Sequence, residues 1–574
     1  MSNVCTRFRL ASIAALIVFI SVGQSARAQT QTVGLFLNDA RAQDGYTLFA
    51  PIGYTSTYLI DNRGLLVREW TSNARPGLGA YLTESGHLLR PEVIQQPALN
   101  GGGASGRIRE WDWDGTLLWT WEYISQTYRL HHDIEVLPNG NILAIAWERK
   151  TREEALAAGR SADLLKVNEL WADHILEIRP IYPDSAEIVW EWHAWDHLIQ
   201  DEDASKPNYG VVAEHPERIS INYPNDLKAS RNMDWMHTNG IAYNAAFDQI
   251  MISVRDFNEV WVIDHSTTTA EAAGSTGGTC GKGGDLLYRW GNPEAYDTGG
   301  PEDQKLFLHH DAHWIENGKP GEGNILVFNN GKGRPGEQNS SVDEFVPPVD
   351  ARGFYLRTAG MAFGPDSAAW SYEAPVPTDF YAFNISGAQR QANGNTLICN
   401  GPWGEIFEVT PEKEIVWRYV VPVTQAGPVK QGTTLGGGVG GTDNQVFRAP
   451  RYTADFPGFA GRDLTAGDPV ELDPISSVSD DPNGAAGGFA LLGSWPNPFS
   501  SSTRVSINLP ATQSVTLVVT DMLGREVHRL IDGRRLTVGS HTVSFHSAAL
   551  PAGSYVLQLR AGDTMVTRRI QILR

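Results

Sequence analysis

The feature that most constrains this chain is a two-part strand pattern that recurs from Tyr58 to Tyr419. One part is a strand, an Asn-Gly type of turn, and a second strand. It appears as LTESGHLLR from Leu82, VLPNGNILAIAWE from Val136, GEGNILVFNNG from Gly321 and RQANGNTLICNG from Arg390. The other part is a strand, a polar turn, and a strand ending in tryptophan. It appears as YLIDNRGLLVREW from Tyr58, REWDWDGTLLWTWEY from Arg109, ILEIRPIYPDSAEIVWEW from Ile175 and IFEVTPEKEIVWRY from Ile406. VWVIDH from Val260 with DLLYRWGNP from Asp285 repeats it around a long insertion, and VDEFVPP with SAAWSYEAP gives a sixth copy. A glycine-containing two-residue turn between alternating apolar residues is a strong hairpin signal, because a type I′ turn needs positive φ at both centres. Units of four strands cannot bury both faces alone and must stack about an axis. The expectation is an all-β chain built as a six-bladed β-propeller. Trp70, Trp121, Trp192, Trp290, Trp370 and Trp417 mark the blades and pack one against the next.

Outside the repeat, three segments behave differently. Residues 1–28 read as a signal peptide: Arg7 and Arg9, an apolar run from Leu10 to Val22, then Ala26-Arg27-Ala28 before a cleavage point. TREEALAAGRSADLLKVNEL from Thr151 has a helical pattern and reads as an excursion or lid between strands. The propeller spans residues 29–466, and 467–490 form a flexible acidic linker rich in Gly, Asp, Pro and Ser. From 491 to 574 strict apolar–polar alternation returns, which predicts a small immunoglobulin-like β-sandwich. No stretch after the leader is long and apolar enough for a transmembrane helix.

The formal net charge of −20 argues against a nucleic-acid partner, because phosphate backbones select basic faces. A small anion is not excluded, since a local Arg/His cluster can sit inside an acidic protein. Beyond the leader only Cys280 and Cys399 remain, either as a pair or as two solitary thiols.

Histidine is placed unevenly. RLHHDIEVLPNG contains His131, His132 and Asp133; DWMHTNGIAY contains His237 and Asn239, with Arg255 on the next strand. LFLHHDAHW contains His309, His310, Asp311 and His313, and FNNGKGRPGEQ brings Asn330 and Arg334. Equivalent positions in successive blades point to one end of the central channel, so these side chains can converge. Arg offers a planar fork of donors to paired oxygens, and imidazole serves as nucleophile or proton carrier. Such a funnel suits a compact oxyanion. A metal is the competing reading of HHDAH, but there is no HExxH or paired-Cys spacing, and Arg in the funnel repels a cation. The assignment is therefore no metal and no cofactor. HHD strings have a structural reading as well, fixing a strand corner by bonding to backbone.

Two resemblances follow. GYTLFAPIGYTSTYLIDNRG, HHDIEVLPNGN, DWMHTNGIAYN, HHDAHW, FNNGKGR, GNTLICNGPWGEIFEVTPEKEIVWRY and VFRAPRY, in order over roughly residues 40–466, resemble the bacterial arylsulfotransferase (aryl-sulfate sulfotransferase) family. That resemblance implies a six-bladed propeller moving a sulfuryl group from a phenolic sulfate ester to a phenol acceptor through a sulfated histidine, without a nucleotide sulfate donor. It implies catalytic roles for His237, His310 and Arg334, which would hold sulfate oxygens and protonate the departing phenolate. His132, His313, Asn239 and Asn330 are implied substrate contacts, and Arg255 joins them on position alone. It also implies a nucleophilic histidine on a later blade, where ISGAQRQANGNTLICNGPWGEIFEV has none and Trp403 occupies the turn. WPNPF from Trp495, DMLGREV from Asp521 and LPAGSYVLQL from Leu550 resemble a type IX secretion system type A sorting domain. That implies a partnership with the type IX machinery and a secreted or cell-surface protein, exported through the periplasm and outer membrane. The competing functional reading is a non-catalytic surface propeller that binds glycan or protein; a third is a quinone- or metal-dependent dehydrogenase propeller.

Overall fold

The structure is a computed structural model that describes residues 31–223, 233–438, 441–474, 489–495, 497, 499, 501–521, 524–547, 550–562 and 564–572. The leader expected at residues 1–28 lies outside them. The chain is all-β and propeller-like, with only short helical turns between strands. Among the described residues, six antiparallel sheets of four or five strands follow one another between Gly34 and Tyr452, most of them simple four-stranded meanders, with three two-stranded pairs in the loops.

The first sheet joins Arg451–Tyr452 to Tyr46–Phe49, Ser56–Asp61 and Leu66–Thr71. A strand from the far end of the repeat therefore completes the sheet that opens it. The second sheet runs from Tyr81–Leu82 to Leu117–Glu122, the third from Tyr128–Val136 to Ser185–His193, and the fourth from Thr238–Asn244 to Tyr288–Trp290. The fifth runs from His310–Trp314 to Trp370–Tyr372, and the sixth from Gly387–Arg390 to Ile415–Val420, with Gly34–Asn38 as an extra outer strand. The first strands of the third to sixth sheets touch one another in series. That row of strands carries the candidate site.

Tryptophan explains how the sheets stay in register with each other. On the last strand of each sheet an indole N–H donates to a backbone carbonyl of the next. Trp70 reaches Asp112 O (2.9 Å), Trp119 reaches Ser185 O (2.7 Å) and Trp192 reaches Gly284 O (2.7 Å). Trp290 reaches Pro365 O (2.8 Å), Trp370 reaches Pro411 O (3.0 Å), and Trp417 returns to Asn62 O of the first sheet (2.8 Å). Each ring supplies apolar area to the inter-sheet core while its one polar atom is satisfied. In the second sheet the residue in this role is Trp119, not the expected Trp121. Trp119 is fully buried, whereas Trp121 stacks on Tyr123 near the surface.

The helical pattern from Thr151 gives only one turn and a half, Arg152–Ala157, started by a Thr151/Glu154 capping box, and Glu169 already begins a strand. The expected linker is bound over its first residues: Gly467 N–H donates to Leu66 O, Leu66 N–H to Asp468 O and Leu472 N–H to Val429 O. Val470 is buried beside the first and sixth sheets. Residues 475–488 lie outside the described set. Cys280 and Cys399 are both free thiols, and burial pushes the Cys280 thiol up to about 11.

The C-terminal segment forms a three-stranded and a four-stranded antiparallel sheet. Their facing residues, Val505, Ile507, Leu517, Val519, Leu557 and Leu559 among them, make a separate core. The alternation seen in the sequence is thus an inward–outward alternation. No helix among the described residues is long and apolar enough to cross a membrane.

Replacing Trp119 with Phe keeps most of the apolar surface but removes the donor to Ser185 O. The expected loss is about 1–3 kcal/mol of stability by chemical denaturation, with a much smaller effect for Trp121→Phe. Equal losses at both positions would contradict this assignment.

Candidate active site

The first strands of the third, fourth and fifth sheets share a local irregularity. Pairing with the second strand shifts register around residues 131–133, 239–240 and 311–312. These are bulges, and they re-aim side chains. His132, His237 and Asp311 have φ of 55°, 51° and 59°, a left-handed conformation that costs energy in a residue with a Cβ and that concentrates at functional sites.

What holds the bulges is a set of bonds from polar side chains to backbone N–H groups of the next sheet. Asp133 Oδ2 accepts from Ile241 N (3.1 Å) and Asp173 Oδ2 from Thr238 N (2.8 Å). Ser253 Oγ accepts from Ala312 N (2.9 Å) and Asp311 Oδ2 from Ala388 N (2.9 Å). The repeated HHD string therefore has a structural third residue: its Asp stitches one sheet to the next, and its histidines are presented beside the stitch.

Arg448 gathers these stitches. Its Nη1 donates to Asp133 Oδ2 (2.5 Å) and to the Tyr81 hydroxyl (2.8 Å), its Nη2 donates to Asn239 O (3.2 Å), and its Nε lies 2.9 Å from Asp311 Oδ1. Burial disfavours its charge, but the two carboxylates outweigh burial and raise its pKa further. Phe447, fully buried, places its ring 6.3 Å from the rings of both His132 and His310.

Two histidines from neighbouring sheets meet at this point, and His310 of a third sheet lies near enough for its charge to bear on His132. The rings of His132 and His237 are 4.6 Å apart, nearly perpendicular. Gly103, at φ 79°, lies so close to His132 that a Cβ there would fall 2.2 Å from its ring; only glycine allows this loop to cover the imidazole. His237 Nδ1 pairs with Asp234 Oδ2 at 2.5 Å. Burial works against its charged form, but the Asp234 charge and hydrogen bond prevail and raise its pKa. His132 and His310 move the other way. Burial, with the charges of His237 and of Arg255 respectively next in weight, holds both well below the usual imidazole range. His310 Nδ1 is 2.7 Å from Asn330 Oδ1. Because the amide oxygen can only accept, Nδ1 carries the proton and Nε2 keeps its lone pair. His309, also buried and held down to about 3 by burial and Arg255, has no hydrogen-bond partner on either ring nitrogen among the described residues.

The remaining nominated residues divide. Arg255, on the turn Arg255–Phe257, pairs with Asp256 at 2.5 Å, and its charge bears on His132, His237, His309 and His310 alike. Asn239 supports the site from behind, donating to His309 O (2.9 Å), and Asn330 Nδ2 anchors to Ala382 O and Ile385 O. His313 turns to Asp311, with Nδ1 2.9 Å from its carbonyl. Arg334 engages Glu373 (3.3 Å), Ser341 (3.2 Å) and the face of Phe307, and none of these contacts is with a histidine. Trp403 is partly exposed and donates to Tyr381 O (2.8 Å). Sequence reasoning did not single out His131, Asp173, Asp234, Phe447 or Arg448 for roles. The repeated HHD was the available signal for Asp133 and Asp311; Phe447 and Arg448 lie in the VFRAPRY string of the family resemblance, which by itself says nothing of what they touch. Among the described residues no three His, Cys, Asp or Glu side chains are grouped so as to hold a metal.

Comparison with known proteins gives the family of the chain and of its tail. Residues 52–417 match the family model described as Arylsulfotransferase (ASST), and residues 494–573 match the Secretion system C-terminal sorting domain. The sorting domain marks the chain for export and a secreted or cell-surface location. No curated protein matches the chain. Similar solved structures include a protein of unknown function from Bacteroides caccae, with 12% identity over 66% of this chain and 94% of that one and a TM-score of 0.36. The periplasmic gluconolactonase of Pseudomonas aeruginosa gives 11% identity over 87% of this chain and 99% of that one, with a TM-score of 0.33.

Replacing Arg448 with Met leaves Asp133 and Asp311 buried without their cation. The expected cost is about 3–5 kcal/mol in a denaturation experiment. A variant as stable as the parent would show that Arg448 does not hold the sheets together.

Proposed function

The chain belongs to the arylsulfotransferase family, and from that premise we propose that it is a secreted enzyme moving a sulfuryl group from a phenolic sulfate ester to a phenol through His310. We read its architecture as a six-bladed β-propeller followed by an immunoglobulin-like sandwich. Six successive sheets, and an indole bond that returns from the sixth to the first, support that reading. The single observation that carries the chemistry is the contact of His237, whose pKa Asp234 raises, with His132, whose pKa burial lowers as it does that of His310, while the charge of Arg255 bears on all three. Groups whose environments push their pKa values apart divide naturally into acid and base or nucleophile.

In the first half-reaction His310 Nε2 attacks sulfur while the S–O bond to the aryl oxygen breaks. The departing phenolate takes the proton of His237, and the sulfuryl group rests on His310. In the second half-reaction the acceptor phenol gives its proton to the now neutral His237 as its oxygen attacks sulfur. The N–S bond breaks and returns its electron pair to His310. Arg255 and His132 hold the sulfuryl oxygens, where charge-assisted bonds count for most. His310, on the first strand of the fifth sheet, takes the nucleophile's role that the resemblance implies for a later blade, where this sequence has no histidine. Arg255 takes the role the resemblance gives to Arg334.

The test is acceptor-dependent release of a nitrophenol from its sulfate ester. His310→Asn should abolish release, Arg255→Gln should lower kcat/KM by roughly a hundredfold or more, and Arg334→Gln should stay within a few-fold. Because His237 acts as the charged acid with a raised pKa, the rate should fall only when the pH rises above the ordinary imidazole value. Because His310 resists protonation, the acid limb should lie well below that value. No release at any pH, with phenolic or glycan ligands still bound, would favour the non-catalytic reading.

A further inference from the structure

We propose that Phe383 and Trp403 hold the flat ring of a phenol beside His310 and select for aryl substrates. The proposal rests on the function given above and names the residues that would recognise the aryl group. Asn330 is the link between the two parts. Its Oδ1 accepts from His310 Nδ1 (2.7 Å), and its Nδ2 donates to Ala382 O (2.7 Å) and Ile385 O (2.9 Å). Residues 382–385 therefore curl about one amide, with Phe383 inside the curl, and that same amide touches His310. The backbone beyond it is strained. Ile385 and Ser386 have φ of 45° and 90°, two consecutive left-handed residues with a Cβ, one of them β-branched. Ser386 N–H donates to Phe447 O (3.2 Å), and its Oγ accepts from Gly401 N (3.0 Å). Strain of this kind persists only where the surroundings enforce it, and it concentrates at functional sites. Both ends of the turn are thus fixed to Asn330 and Phe447, each beside His310.

Trp403 comes from a second turn at the same end of the sheets. Gly401–Trp403 follows the second strand of the sixth sheet, Thr396–Asn400, as Arg255–Phe257 follows the second strand of the fourth, Gln249–Val254. Each turn closes on a left-handed residue, Gly404 and Asn258, both at φ 57°. The aromatic residues that end the two turns have opposite fates. Phe257 is fully buried, whereas Trp403 is 37% exposed, more than any other tryptophan whose side chain is described. The Trp403 indole N–H donates to Tyr381 O (2.8 Å), which ties the ring to the start of the strained turn. The rings of Phe383 and Trp403 lie 6.4 Å apart and nearly perpendicular, at 87°. Among the described residues neither ring belongs to an apolar core of the fold. Two aromatic surfaces that folding leaves unused thus stand next to the partner of His310. A phenol ring matches them: it can stack on one ring while meeting the edge of the other, which a saturated group cannot do.

Calorimetric titration of the full-length protein with 4-nitrophenol reads ring binding without turnover. Trp403→Leu and Phe383→Leu keep apolar bulk but remove a ring, and each should weaken the nitrophenol Kd by about tenfold. KM for nitrophenyl sulfate should rise to match, with kcat changed far less. Parental nitrophenol affinity in both variants, or no nitrophenol binding by the parent, overturns the subsite. If a variant does not fold, photolabelling of the parent with 4-azidophenol decides instead. Label on the peptides that carry Phe383 or Trp403 supports the subsite, and label confined to other peptides overturns it. Nitrophenol bound through these rings in a protein that transfers no sulfuryl group would sink the sulfuryl reading and leave the subsite standing. Transfer that continues with unchanged KM in both variants would do the reverse.

Discussion

A single buried guanidinium bears on the inner ends of several sheets at once. Arg448 reaches Tyr81 of the second sheet, Asp133 of the third, Asn239 of the fourth and Asp311 of the fifth, from a loop that leads into the strand completing the first. Burying a cation is expensive unless it is paired and hydrogen-bonded. Two carboxylates do this here, and each also accepts a backbone N–H of the neighbouring sheet, Asp133 on the oxygen that meets Arg448 and Asp311 on its other oxygen. The ion pair and the inter-sheet stitches therefore stand or fall together. That coupling gives a β-fold assembled from distant segments one defined arrangement at its centre.

The same arrangement positions the chemistry. Each of these two aspartates follows a pair of histidines, so whatever fixes the aspartate also fixes the bulge that presents the rings. The rings then differ by their second partners alone. Asp234 raises the pKa of His237; the amide oxygen of Asn330 accepts the Nδ1 hydrogen bond of His310 and leaves its Nε2 free; His131 faces His132. Three residues of one type thus receive three different tasks from three neighbours, within a space that burial keeps dry enough for those differences to be large.

The repeat was legible because its signals are local. Asn-Gly turns and terminal tryptophans recur at the hairpins that make them necessary, and apolar alternation in the tail maps directly onto its two sheets. Trp119 and Trp121 share one strand two residues apart and point to the same face, so period alone did not separate the ring that bonds the next sheet from the one beside it. The histidines were legible as a recurring string, and His132 and His237 meet. Arg255 and Arg334 were both visible, but only inter-sheet geometry shows which one sits in the field of the imidazoles. Arg448 and Asp173 act across hundreds or tens of residues of separation, and nothing near them in sequence marks that contact. The bound start of the linker was hidden for a similar reason: a Gly- and Asp-rich stretch looks free until Val470 is seen in a core.

The most direct measurement is peptide mass analysis of the protein after exposure to an aryl sulfate with no phenol acceptor present. The account predicts one added sulfuryl group, located on His310 and discharged when a phenol is supplied. A group found on another side chain, or none at all while nitrophenol is released, would contradict it.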